Sequence, residues 1–119
     1  MNPPPPKEIF TKLLNTDLFS VSHGLYTVHL CFENDNRLSV AAPFRFAKKE
    51  FIADSPVYEF PLSDSQLVRV LGSHVREIAC DTDGTLELLF SNGYLLTVYA
   101  NSPKYEAYTL LIDGKEYIF

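Results

Sequence analysis

Phe32-Glu-Asn-Asp-Asn-Arg-Leu-Ser-Val-Ala-Ala42 and Phe90-Ser-Asn-Gly-Tyr-Leu-Leu-Thr-Val-Tyr-Ala100 are two versions of one pattern, in register at an offset of 58 residues without a gap. Phe, Asn, Leu, Val and Ala recur at matched positions, and the correspondence extends back to cover residues 27–42 and 85–100. Large apolar residues flank a short turn in both versions, which reads as an antiparallel hairpin with one buried face. The turn decides the register. A two-residue loop at Asn92-Gly93 would pair Phe90 with Leu95 and split the apolar residues between the two faces. A three-residue loop Ser91-Asn-Gly93, with Gly93 left-handed, pairs Phe90 with Tyr94, Leu88 with Leu96 and Leu86 with Val98, and so gathers the large side chains on one face. The first version follows the same rule around Glu33-Asn-Asp35, pairing Val28 with Val40 and Leu30 with Leu38.

Outward from these hairpins, Lys7-Glu-Ile-Phe-Thr-Lys-Leu-Leu14 spaces Ile9, Phe10, Leu13 and Leu14 as a short helix does. Ser63-Asp-Ser-Gln-Leu-Val-Arg-Val-Leu-Gly72 offers a capping Ser or Asp, an apolar face of Leu67, Val68 and Leu71, and a terminal glycine, which predicts a second helix. Strands are expected at 19–22, 25–32, 36–42, 75–80, 85–90, 94–100, 105–112 and 115–119. Prolines on both sides of 43–61 leave room there for one irregular edge strand near 57–60. The expected fold class is therefore α+β, β-rich and largely antiparallel, built from two helix-then-meander units. The expected organisation is a single domain over 1–119, with an internal duplication of about 9–42 and 67–100 and a C-terminal hairpin over 105–119.

The chain has 119 residues and a formal net charge of −5, and the charge is unevenly placed. Residues 1–76 hold eight acids and eight bases, whereas 77–119 hold seven acids against Lys104 and Lys115. A negative field repels phosphate backbones and attracts basic partners, so nucleic-acid binding is disfavoured. No apolar run is long enough to span a bilayer, and Met1-Asn-Pro-Pro-Pro-Pro-Lys7 lacks the pattern of an export signal, which makes a cytoplasmic location the expectation. The prolines favour an extended lead-in. Cys31 and Cys80 sit in strand-like runs as small hydrophobes, and His23, His29 and His74 lack metal-site spacing. Neither a disulfide, a structural metal nor a cofactor is expected.

Signatures of chemistry are weak. Asp81-Thr-Asp-Gly84 opens like a calcium loop, but Leu86 and Asn92 stand where that loop needs glycine and glutamate, so a hairpin turn is the better reading. The glycines form no phosphate loop, and no Gly-x-Ser-x-Gly elbow is present. Catalytic residues are therefore not assigned. The contrast between the two outward faces is more informative. If Leu86, Leu88, Phe90, Leu96 and Val98 point inward, the first version faces outward with Thr27, His29, Cys31, Arg37, Ser39 and Ala41. The second faces outward with Glu87, Leu89, Leu95 and Tyr99, near Asp81 and Asp83. An apolar centre with an aromatic residue and an acidic rim is the anatomy of a protein-binding surface.

The stretch Val75-Arg-Glu-Ile-Ala-Cys-Asp-Thr-Asp-Gly-Thr-Leu-Glu-Leu-Leu-Phe-Ser-Asn-Gly-Tyr-Leu-Leu-Thr-Val, followed by Tyr105-Glu-Ala-Tyr108, resembles a family of short uncharacterised bacterial proteins over residues 67–112. The chain is also similar in size, acidity and β-rich style to immunity proteins that neutralise toxins. That resemblance implies a non-enzymatic binding protein whose partner is a basic toxin, such as a nuclease, held by Asp81, Asp83, Glu87, Leu89, Leu95 and Tyr99. A homo-oligomeric accessory protein is the alternative. An enzyme or small-ligand binder would instead require a pocket that unites Glu87 with a histidine.

Overall fold

The computed structural model describes residues 7–62, 64–100 and 107–119. Among these residues, ten strands form two five-stranded antiparallel sheets. In chain order they are β1 (Leu18–His23), β2 (Val28–Phe32), β3 (Arg37–Val40), β4 (Phe44–Lys48), β5 (Val57–Tyr58), β6 (Val75–Cys80), β7 (Leu86–Phe90), β8 (Tyr94–Val98), β9 (Tyr108–Ile112) and β10 (Lys115–Ile118). The first sheet runs β1-β2-β3-β9-β10 and the second β5-β4-β8-β7-β6. Each is thus a three-strand meander extended by two strands from elsewhere in the chain. The extension is reciprocal, because β4, which follows the first meander, pairs with β8, and β9, which follows the second, pairs with β3. The two joints match in detail: Ala41 N–H donates to the Ala107 carbonyl at 2.9 Å, and Tyr99 N–H to the Pro43 carbonyl at 3.1 Å.

The registers follow the turn chemistry. Val28 faces Val40 and Leu30 faces Leu38 in one meander, while Leu86 faces Val98 and Leu88 faces Leu96 in the other. Gly93 has φ of 92° and its N–H closes the turn onto the Phe90 carbonyl at 2.9 Å. Asn34 and Asp35 take up left-handed values of 65° and 59° in the first copy, a conformation their short polar side chains tolerate. These registers send one apolar set from each sheet into a shared core. Leu30, Leu38 and Leu110 meet Phe44, Leu88, Phe90 and Leu96 there, all with no exposed surface. The buried Tyr108 hydroxyl donates to the Gly84 carbonyl at 3.0 Å and lies 3.6 Å from Cys80 Sγ, so a polar group enters the core with its bond made. Both cysteines are free.

The structure corrects the expected fold class. The protein is mostly β, not α+β with helix-then-meander units. The first expected helix is a single five-residue segment, α1 (Lys7–Thr11), and the second is a four-residue 3-10 turn, Leu67–Val70. The physical reason lies in the burial pattern. Leu67 and Val70 are buried at the i, i+3 spacing of a 3-10 turn, while Val68 and Leu71 are 55% and 45% exposed, so an α-helical face was never formed. Gln66 precedes the turn with φ of 62°, and no side chain caps it. A second correction concerns 43–61, which contributes β4 to the interior of the second sheet and not just the short edge strand β5. Pro43 stands before β4 and offers only its carbonyl to Tyr99, so it brackets the strand without removing a ladder donor. The expected lead-in at Pro3–Pro6 and the start of the strand over 105–112 lie outside the described residues.

Candidate functional site

Strand alternation gives the second sheet an outer face opposite the core. Across it run the pairs Glu77–Leu89 and Leu89–Leu95, then Leu95–Ala47; a second row runs Ala79–Glu87, Glu87–Thr97 and Thr97–Arg45. Leu89 and Leu95 are directly opposed and each 8% exposed, yet they belong to the side of the sheet that faces away from the shared core. They form the apolar floor of a groove of about 580 Å³ lined also by Leu14, Lys49, Arg76, Glu77, Ile78, Ala79 and Glu87.

Three local features build this groove. The bulge between Val75 and Glu77 kinks β6 beside it. The segment after α1 is tied to the same point, since Asn15 N–H donates to the Val75 carbonyl at 2.8 Å and Val75 N–H to the Thr16 carbonyl at 3.2 Å, which brings Leu14 to one end. The 3-10 turn Lys49–Asp54 then carries Lys49 to the rim, held by a bond from its N–H to the Gly93 carbonyl at 3.0 Å. β6 is the outermost strand of its sheet. Antiparallel alternation turns the N–H and C=O of every second residue in an edge strand away from its partner, and four consecutive β6 residues, 76–79, line the groove.

Of the six residues expected to form a partner surface, the structure brings Glu87, Leu89 and Leu95 into the groove. Tyr99 lies just past the end of β8, where its hydroxyl accepts from Arg45 Nη1 at 3.1 Å and the guanidinium stands 5.9 Å from the ring centroid. Asp81 and Asp83 are exposed in the β6–β7 turn and are occupied there. Asp81 Oδ1 accepts from Thr85 N–H at 2.9 Å and from Asp83 N–H at 3.2 Å. The two carboxyls lie against each other, so contact with Asp83 pushes Asp81 above the ordinary carboxylate value, while its bond to Asp81 holds Asp83 below it. The rim of the groove is balanced rather than acidic, because Lys49 and Arg76 stand with Glu77 and Glu87, all four exposed. Sequence reasoning missed both cations: Lys49 lay in the segment read as irregular, and Arg76 reaches the groove because β6 is bulged.

No histidine, serine or cysteine lines the groove among its described residues, and no group of three or more potential metal-binding side chains occurs among the described residues of the chain. The outer face of the first sheet differs in kind. It carries Ser20, Ser22, His29, Cys31, Arg37, Ser39 and Thr109 on adjacent strands, and His29 Nδ1 lies 2.6 Å from Ser39 Oγ. Burial, and then the charge of Arg37, lower the His29 pKa below its ordinary value of 6.5.

The chain belongs to a family of unknown function (DUF6188), whose model matches residues 16–119 and so spans both meanders. No curated protein and no solved structure matches it. No helix among the described residues is long and apolar enough to cross a membrane.

Proposed function

We propose that this protein is a non-enzymatic binding module that holds a segment of a partner protein in the groove of the second sheet. One observation carries the reading. Leu89 and Leu95 form an apolar floor on the side of the sheet opposite the core, inside a concavity bounded by four exposed charges and by the edge strand β6, whose residues 76–79 pair with no second strand among the described residues. An extended segment can add to such an edge through its backbone while one side chain enters the adjoining pocket. Affinity comes mainly from backbone pairing at the strand edge, with the apolar pair as a small floor beneath it, and selectivity from Lys49, Arg76, Glu77 and Glu87, which reward a segment of matching alternating charge. The groove's donor set supports binding over catalysis, since Glu87 has no histidine beside it to share acid–base work.

The net charge of −5 favours capture of a basic partner over longer range. A toxin held by its immunity protein is the most concrete instance of that class, and cytoplasmic action fits it. The balanced rim means that the segment in the groove need not itself be strongly basic.

A photoreactive amino acid placed at Glu87 in the native host tests the reading, with the same group at exposed Glu116 on the other sheet as control. Crosslinks to one distinct protein from position 87, lost when Leu95→Asp is added, are expected. Crosslinks between two copies of the chain would assign the groove to self-association instead. Equal labelling from both positions would contradict the proposal.

A further inference from the structure

The outer face of the first sheet holds an arginine whose charge is unanswered. The Arg37 side chain makes no hydrogen bond or ion pair among the described residues, and its Nε is buried without a partner. Guanidinium nitrogens are donors only and stay protonated, so a buried Nε–H normally finds an acceptor. The layout of the sheet explains why none is present. Arg37 faces Cys31 on one side and Leu111 on the other, and Glu116 lies beyond Leu111 on β10, two strand spacings or about 10 Å away.

What surrounds Arg37 is a set of further donors. Ser39 is two residues along β3 on the same face, and His29 stands directly across from Ser39 on β2. The contact between His29 Nδ1 and Ser39 Oγ leaves one donor free in either tautomer. If the ring donates, the serine hydroxyl is available; if the serine donates, Nε2–H is. Burial and Arg37 favour the neutral ring, so the patch holds one full cation and several neutral donors. Ser22 and Thr109 continue the row of hydroxyls.

We infer that this patch is a binding site for an oxyanion, a carboxylate or a phosphate group, held by the Arg37 guanidinium with Ser39 and His29 beside it. Nε has no exposed surface, so the anion meets the two Nη groups end-on, a paired geometry that arginine also offers such groups. The site is on the opposite sheet from the groove, so it stands or falls independently of the proposed partner site.

The test is a titration of the ¹⁵N-labelled full chain with sodium acetate and, separately, inorganic phosphate, each at constant ionic strength against sodium chloride. Saturable shifts are expected at the Arg37 Nε–H and at the amides of residues 29–31 and 37–39, with millimolar affinity. The anion that binds more tightly identifies the group as carboxylate or phosphoryl. Arg37→Met, which keeps the aliphatic stem, should weaken binding by roughly tenfold or more, and Arg37→Lys by less. Ser39→Ala provides an independent variant should Arg37→Met fail to fold, and it should weaken binding too. Shifts that match chloride, that do not saturate, or that persist undiminished in Arg37→Met or Ser39→Ala would overturn the inference.

Discussion

Neighbouring residues of β7 supply a sharp test of which leucines are core. Leu88 and Leu89 point to opposite faces of one strand, the first with no exposed surface in the shared core and the second 8% exposed over the groove. Truncation to alanine removes three carbons from either. At about 0.8 kcal/mol for each buried carbon, the transfer loss is about 2 kcal/mol in both cases. The cavity contribution differs. Behind Leu88 the space is sealed between two sheets, so Leu88→Ala should cost about 4 kcal/mol in total. Behind Leu89 it merges with the groove of about 580 Å³ and fills with water, so Leu89→Ala should stay near the transfer loss of about 2 kcal/mol. Urea unfolding of the two variants, analysed with a common slope, reads the difference from the midpoints. If Leu89→Ala proves as costly as Leu88→Ala, the outer face is sealed core, and the groove has no free floor to offer a partner.

Three further outcomes follow from the geometry. Tyr108→Phe strips the Gly84 carbonyl of a buried donor and should cost about 1–2 kcal/mol, seen as a lower urea midpoint without a change in slope. At Gly84, with φ of 90°, a Cβ would meet the Ala100 Cβ at 3.3 Å, whereas at Gly114, with φ of 81°, it would meet nothing within 4 Å; Gly84→Ala should therefore lower the melting temperature more than Gly114→Ala, which suffers only the backbone penalty of about 1 kcal/mol. The His29 pKa is depressed on folding, so the unfolded chain takes up its proton first, and stability present above pH 6.5 is lost as pH falls through that value toward the folded pKa. His29→Gln should flatten this part of the stability profile, measured as urea midpoints between about pH 7.5 and about pH 5.5.

The meanders were legible because their residues obey two strict rules at once: alternation along the strand, and a left-handed residue closing each turn. Gly93, together with the paired leucines and valines, left one register that buried all the large side chains. The helices were misread because Leu67, Val68 and Leu71 fit a helical face on paper, while only Leu67 of the three is buried. Short apolar segments do not separate 3-10 from α geometry until their packing partners are known. β4 was hidden by its flanking prolines, although Phe44 and Phe46 already alternate with Arg45 and Ala47. Its partner β8 lies about 50 residues later, and a pairing at that distance leaves no local trace.

The candidate site was half legible for the same reason. Glu87, Leu89 and Leu95 share a hairpin and follow from its register, but Lys49, Arg76 and Leu14 arrive from elements placed by tertiary contacts. The acidic face expected from the local sequence became a groove of mixed charge once those elements were in position. Asp81 and Asp83 carry charge at the turn, but their carboxylates already accept from turn backbone.

Amide hydrogen exchange of the chain, free and bound to the protein captured through position 87, tests the central claim most directly. The account predicts slowed exchange along residues 76–79 of β6 and around Lys49, Leu89 and Leu95, with β1–β3 unchanged. Slowing confined to the first sheet, or absent from β6, would contradict it.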